Sequence, residues 1–97
     1  MLDISKLFPK KWKKLKRACH KRDGYRCQFI DKNGRKCGYK KKLQVHHILR
    51  KHDHVDLIWV VLNTITLCTK HHKIVTGKEY IYASQFIKTV KQNGARR

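Results

Sequence analysis

The sequence predicts a small α+β fold in which two short strands and a helix form the centre and further helices flank it. Two observations favour this class. Segments of strand length alternate with segments of helical periodicity, and residues 43–73 place histidines at both ends of a short apolar unit. Ninety-seven residues are enough for one domain with a thin hydrophobic core. We therefore treat residues 1–97 as a single domain.

The N-terminal half predicts a basic helix followed by a knuckle. Pro9 suits the first turn of a helix, where its missing N–H costs nothing. Apolar residues at helical spacing extend this helix over about 9–21, with lysines and arginines on its other faces. Residues 25–40 indicate a hairpin-like knuckle, because Asn33-Gly34 is a strong turn signal.

The second half predicts two strands, their connection and two helices. In order, we expect a strand over 43–48, a polar loop over 49–56, an apolar run of strand or helix over 57–62, a strand over 63–67, and helices over about 69–76 and 79–92. Tyr25, Trp59 and Phe86 each fall within an apolar pattern and are expected in the core. Cys19 lies on the apolar stripe of the first helix and is expected to be a small buried residue there.

The charge balance predicts a polyanionic partner. Lysine and arginine number 25 against 6 acidic residues, giving a formal net charge of +19. A surplus of this size repels itself in the folded state, and nucleic acid is its natural counterpart. An anionic membrane is the rival, but the sequence contains no run of about 18 apolar residues and no broad amphipathic face with interfacial aromatics.

The first 14 residues contain no hydrophobic segment typical of a secretion signal. We therefore expect the protein to act in a reducing cytoplasm, where cysteines favour metal binding over disulfides.

Four residues predict a structural zinc site. Cys68 and His71 are three apart at the start of a predicted helix, which places both on one face. Cys27 and Cys37 lie on the two arms of the knuckle and would supply the other ligands. The alternative is a set of free buried cysteines with a solvated histidine.

In its motifs the chain resembles the HNH endonucleases of the ββα-metal fold. The resemblance runs from about residue 17 to residue 77, through RDGYRCQ, LQVHHI, the central Asn63 and LCTKHHK. It implies a zinc-stabilised ββα-metal core over about 25–77 between the N- and C-terminal helices. Many members carry two C-x-x-C pairs. Here Ile30 stands at the third position after Cys27, and His71 replaces the last cysteine.

The resemblance also implies roles for the histidines. His47 would be the general base that takes a proton from water, and His46 and His72 would hold a catalytic Mg²⁺ or Mn²⁺, with Ni²⁺ or Zn²⁺ as alternatives. Asn63 would fix the direction of His47 by bonding the strand connection. On a regular strand, however, His46 and His47 point to opposite faces, so one shared site requires the strand to end or bend there.

The implied activity is metal-dependent hydrolysis of phosphodiester bonds in double-stranded DNA, by nicking or double-strand cutting with limited sequence specificity. We expect contacts to the DNA backbone from five basic residues, which are Lys13, Arg17, Arg50, Lys51 and Lys73. The resemblance further suggests a bacteriophage or self-splicing-element origin, a bacterial host cell and a DNA-processing partner such as a packaging motor. The alternative function is a non-catalytic zinc-knuckle module that binds nucleic acid.

Overall fold

The computed structural model describes residues 3–95, which form a small α+β arrangement measuring 38 × 28 × 24 Å. In chain order its elements are α1 (Ile4–Leu7), α2 (Pro9–Arg22), β1 (Leu43–His47), two 3₁₀ turns (Val55–Leu57 and Val61–Asn63), β2 (Thr64–Cys68), α3 (Thr69–Val75) and α4 (Glu79–Gly94). The α+β class is therefore confirmed. Within the described range, no helix has the length and apolarity that a membrane crossing requires.

The sheet consists of the antiparallel pair β1 and β2. Leu43 lies opposite Cys68, and His47 lies opposite Thr64. Helix α3 begins directly after β2, and its first residue, Thr69, donates both its backbone N–H and its hydroxyl to Lys42 O at 3.1 Å. The start of α3 is thus fixed beside the start of β1.

The outer edge of β2 is covered by the end of α2 and the residues that follow it. The buried Asp23 carboxylate accepts the Thr66 N–H at 2.8 Å, and the Gln28 N–H donates to Thr66 O at 2.9 Å. The Arg22 guanidinium donates to Thr64 O at 2.6 Å. These bonds pair backbone groups that an open strand edge would leave free.

The knuckle forms as predicted around the Asn33-Gly34 turn. The Asp31 carboxylate accepts the backbone N–H groups of Asn33 at 2.8 Å and Arg35 at 2.9 Å, and a single antiparallel bridge joins Ile30 to Lys36. Gly34 adopts a φ of +79°, which an L-residue with a side chain rarely adopts.

The core lies between the sheet and α4. Its buried residues are Cys27, Ile48, Ile65, Leu67, Cys68, Val75, Phe86 and Val90. Phe86 and Cys19 are buried as predicted. Tyr25 is not: it is 52% exposed, because it adopts a φ of +57° in the turn after α2. Trp59 is half-buried and packs edge-on against Phe8, with ring centroids 5.9 Å apart.

The apolar run over 57–62 is neither the strand nor the regular helix that its sequence suggests. Two short 3₁₀ turns take in its first residue and its last two, and Leu62 is exposed. The reason is that side chains from elsewhere bond its backbone carbonyls. Arg22 donates to Val61 O at 2.8 Å, and Asn63 donates to Leu57 O at 3.4 Å. Helix α4 continues to Gly94, two residues past its expected end.

Candidate metal centre and histidine cluster

Cys27, Cys37, Cys68 and His71, here called the Cys₃His cluster, lie close enough to bind one metal ion. One potential ligand atom from each residue lies within 4.8 Å of all the others. Cys27 and Cys37 come from the knuckle, Cys68 ends β2, and His71 lies on α3. The cluster therefore ties three parts of the chain together at one point.

The distances within the cluster match tetrahedral coordination. His71 Nδ1 lies 3.4 Å from the sulfur of Cys27 and 3.4 Å from the sulfur of Cys68. Zinc bonds of ordinary length to one sulfur and one nitrogen place these two atoms about 3.6 Å apart in a tetrahedron. These two distances are thus compatible with donors that share one ion.

The backbone of the knuckle holds its two cysteines in place. The Cys27 N–H donates to Tyr39 O at 2.8 Å, and the Cys37 N–H donates to Phe29 O at 2.8 Å. Gly38 follows with a φ of +69°, and its N–H returns to Cys27 O at 3.0 Å. These backbone bonds therefore hold the two arms of the knuckle together beside the cluster.

Phe29 orients the histidine ligand. Its ring stacks on the His71 imidazole with centroids 4.2 Å apart and planes 8° apart. Stacking of this kind limits rotation of the imidazole, so Nδ1 stays directed at the thiols. Sequence reasoning missed this contact, since nothing in the local pattern distinguishes Phe29 from an ordinary core residue.

The thiols differ in how readily they ionise. Burial raises the pKa of Cys27 to about 12. Burial opposes ionisation of Cys68 too, but hydrogen bonds from the His71 backbone and from neighbouring thiols bring the net pKa of Cys68 below its ordinary value. Because a bound metal requires thiolates, filling this cluster releases protons and is favoured at higher pH.

His46 and His72 form a second grouping, here called the histidine pair. Their rings meet edge to face with centroids 5.6 Å apart, and His46 also contacts Phe86 at 5.7 Å. His46 is only 4% exposed, and its Nε2 atom has no hydrogen-bond partner among the residues described. Burial, followed by the nearby His72, lowers the pKa of His46 to about 4, so its imidazole is neutral at pH 7.

His47 is the last residue of β1 and points away from His46, as strand alternation requires. Its Nε2 lies 2.9 Å from Ile58 O. A carbonyl oxygen only accepts, so Nε2 carries the proton and Nδ1 is left as the acceptor. Burial, reinforced by the charge of Lys51 and opposed by the bond to Ile58, lowers the pKa of His47.

Asn63 bonds the connection between the strands at three points. Its Oδ1 accepts the Leu49 N–H at 2.9 Å, while Nδ2 donates to Leu49 O at 3.1 Å and to Leu57 O at 3.4 Å. Asn63 O also accepts the Ile48 N–H at 2.8 Å. Asn63 therefore fixes both ends of the loop that carries Ile58.

Two charged residues act on these histidines. Lys51 lowers the pKa of both His47 and His72, in each case adding to the larger effect of burial. Glu79, the only glutamate of the chain, partly opposes the effect of burial on His46 and His72, whose pKa values stay lowered overall. The sequence predicts Lys51 only as a DNA contact, and it gives no role to Glu79. The available signal for Glu79 was its position at the start of α4, directly after Gly77 and Lys78.

The other residues expected to contact DNA lie on the surface. Lys13 and Arg17 are exposed one turn apart on α2, and Lys73 is exposed on α3. Arg50 is exposed as well, but its guanidinium is paired with Asp53 at 2.6 Å. An exposed pair of this kind contributes little to stability and exchanges readily for a phosphate.

The geometry thus defines a small α+β protein with one Cys₃His group able to hold a metal. Among residues 3–95, this is the only group of three or more histidine, cysteine or acidic side chains with its ligand atoms so close together. No protein-family model, curated protein or solved structure matches the chain.

Proposed function

We propose that this protein is a zinc-stabilised, metal-dependent DNA endonuclease of the HNH type. The motif resemblance supplies the hypothesis, and the order of elements is compatible with it: two antiparallel strands lead directly into a helix that carries His71 and His72. The net charge of +19 favours a nucleic-acid substrate.

One observation carries the proposal: the buried Nε2 of His46, beside His72, has no hydrogen-bond partner within residues 3–95. Leaving a buried polar atom without a partner costs about 1–3 kcal/mol. A divalent ion held by His46 and His72 would satisfy that atom. Two imidazoles make an incomplete coordination shell, as catalytic sites require, so water and substrate oxygens would complete it.

His47 would serve as the general base. The bond to Ile58 O fixes its tautomer and ring direction, so Nδ1 is the atom that accepts a proton from the attacking water. Asn63 holds this arrangement indirectly, because its bonds to Leu49 and Leu57 fix the loop on which Ile58 lies. Lys51, within electrostatic range of His47 and His72, would bind a substrate phosphate.

When bound, the catalytic ion would supply Lewis-acid stabilisation of charge on the phosphate and on the leaving oxygen. The Cys₃His cluster would hold zinc in a purely structural role, since three thiolates and an imidazole are a donor set that structural zinc prefers.

The test is nicking of supercoiled plasmid in Mg²⁺ or Mn²⁺ by the full zinc-loaded chain. His47→Ala should lower the rate by a factor of about 10²–10⁴, the usual contribution of a general base, while gel-shift affinity for DNA stays unchanged. His52→Ala is the matched control, because His52 is an exposed histidine of the connecting loop. If His47→Ala nicks as fast as His52→Ala, the enzymatic proposal is wrong.

A non-catalytic zinc-knuckle module that binds nucleic acid is the second candidate. The specific observation in its favour is that His46 and His47 point to opposite faces of β1 and contact different partners. This function predicts salt-dependent DNA binding without cleavage in any divalent ion, and therefore the same nicking assay separates the two candidates.

A further inference from the structure

One sizeable cavity lies away from both metal-ligand groups. It has a volume of about 820 Å³ and opens where the end of α2, the segment after it, the second 3₁₀ turn and the end of α4 meet. Its main polar lining residues are Lys21, Arg22, Asp23, Arg26, Gln28, Lys36 and Asn93, with Ala18, Gly24 and Val61 as the rest of the wall. None of them belongs to the site described above.

The floor of this cavity is a buried polar network. Asn93 Nδ2 donates to Asp23 Oδ1 at 3.0 Å and to Gln28 Oε1 at 2.9 Å, and Asp23 and Gln28 are both at least nine-tenths buried. Gln28 Nε2 donates in turn to Asp23 O and Arg26 O, each at 2.8 Å. The floor is therefore fixed in shape by bonds between two distant parts of the chain, residues 23–28 and Asn93.

The rim of the cavity has an excess of positive charge. The one acidic residue in the lining, Asp23, is already paired with Arg22 at 2.8 Å. Lys21 and Arg26 are exposed, and neither forms an ion pair among residues 3–95. Lys36 Nζ bonds the neutral Gln28 side chain at 2.9 Å. Three cations around a fixed concave floor favour an anionic ligand.

An aromatic residue, Tyr25, directly precedes one of these cations, Arg26, in the sequence. Tyr25 lies between two lining residues, Gly24 and Arg26, and is half exposed. Its φ of +57° is unusual for a residue with a side chain, and its N–H is bonded to His20 O at 2.8 Å. An exposed tyrosine on the turn that enters a basic cavity can offer its ring to an unpaired base.

The cavity and the candidate catalytic residues lie on different sides of β2. Asp23, Gln28 and Arg22 bond the outer edge of β2, whereas His46 and His47 belong to β1, which pairs with its other edge. A strand of nucleic acid in the cavity would therefore lie apart from the scissile phosphate.

We propose that this cavity is a second nucleic-acid site, which binds the phosphates of an unpaired strand segment through Lys21, Arg26 and Lys36 and stacks a base on Tyr25. The choice of nucleic acid as ligand rests on the proposed function. The location of the site rests on the cavity itself.

The first test measures binding of a 20-nucleotide oligothymidylate to the zinc-loaded chain over a series of salt concentrations. Lys21→Gln with Arg26→Gln removes two cations whose side chains form no hydrogen bond or ion pair within residues 3–95. It should lower affinity roughly tenfold and reduce the slope of log K against log salt by about 1.4, which corresponds to two single-strand phosphate contacts. The matched control is Lys32→Gln with Lys88→Gln, which removes the same charge from exposed positions outside the cavity. Equal losses in both variants would overturn the site.

The second test separates stacking from charge. Tyr25→Ala should weaken oligothymidylate binding fivefold or more, while Tyr25→Phe, which keeps the ring, should bind as the parent does. Equal affinities for the two variants would contradict the stacking contact.

A third measurement locates the ligand. With a tetrathymidylate probe, NMR shifts should move at Gly24 and at the side-chain amides of Gln28 and Asn93. Shifts confined to β1 and α3, or identical shifts with inorganic phosphate alone and no gain for the oligonucleotide, would overturn the proposal. The nicking assay with His47→Ala does not depend on these binding measurements. A wrong assignment of the cavity can therefore be told apart from a wrong assignment of the nuclease activity.

Discussion

The Cys₃His cluster and the histidine pair each take one residue from α3, His71 and His72 respectively, but they differ in completeness. The cluster has four potential ligand atoms within 4.8 Å, backbone bonds around two of its cysteines and a ring stacked on its histidine. The pair has two rings with centroids 5.6 Å apart and one buried nitrogen without a partner among the described residues. A full shell suits a structural ion, whereas an incomplete one leaves room for water and substrate. His71 and His72 are neighbours in sequence, so the difference between the two groups comes from the residues that surround each imidazole.

Breaking the complete site should have the largest effect. Cys68→Ser removes a buried thiol of the Cys₃His cluster. We expect the chain to lose zinc and most of its folded structure, because structural zinc contributes roughly 10–16 kcal/mol of apparent binding free energy in small domains. Metal content and thermal unfolding by circular dichroism measure both effects.

The control for that variant is Cys19→Ala, which replaces a fully buried cysteine outside the cluster. It should retain one zinc per chain and unfold at a moderately lower temperature. A Cys68→Ser protein that melts like Cys19→Ala would show that the cluster does not stabilise the fold.

Breaking the support of the open site should have an intermediate effect. Asn63→Ala removes three side-chain hydrogen bonds and leaves backbone groups of Leu49 unpaired, so we expect a loss of about 2–4 kcal/mol in the free energy of unfolding. Urea denaturation with zinc present measures this loss.

Zinc stoichiometry should stay at one in Asn63→Ala, because Asn63 contacts none of the cluster residues in the bonds above. An unchanged urea midpoint would mean that the loop from Leu49 to Leu57 is held by other contacts, and Asn63 would lose its positioning role.

The smallest expected effect tests the role of His46 Nε2, which has no hydrogen-bond partner within the described range 3–95. His46→Phe replaces a buried imidazole by an apolar ring among aromatic neighbours, which should raise the free energy of unfolding by about 1 kcal/mol when no divalent ion other than zinc is present. The same variant should lose the Mn²⁺ binding detected by electron paramagnetic resonance. Retained Mn²⁺ binding, or a clear destabilisation, would assign His46 to the core alone.

Much of the fold follows from local signals in the sequence. Pro9 marks the start of α2, the Asn33-Gly34 turn marks the knuckle, and the spacing of Cys68 and His71 places both at the start of α3. These features depend on residues close together in the chain, for which backbone preference and periodicity are informative.

The remainder depends on contacts between distant residues. Arg22 bonds Val61 and Thr64 some forty positions away, and this bond helps to make the apolar run over 57–62 irregular. The carbonyl of Ile58 receives His47 only because the loop folds back, and Tyr25 is exposed because its turn follows the docking of Asp23 on β2. Periodicity carries no information about such long-range bonds.

The adjacency of His71 and His72 restricts how this chain can vary. Consecutive helical residues differ in direction by about 100°, so each imidazole faces its own neighbours only while the turn keeps its length. Inserting or deleting one residue between Thr69 and His72 would rotate at least one ring out of place. Length variation is therefore excluded from this turn, whereas the exposed tip of the knuckle at Asn33-Gly34 can absorb it.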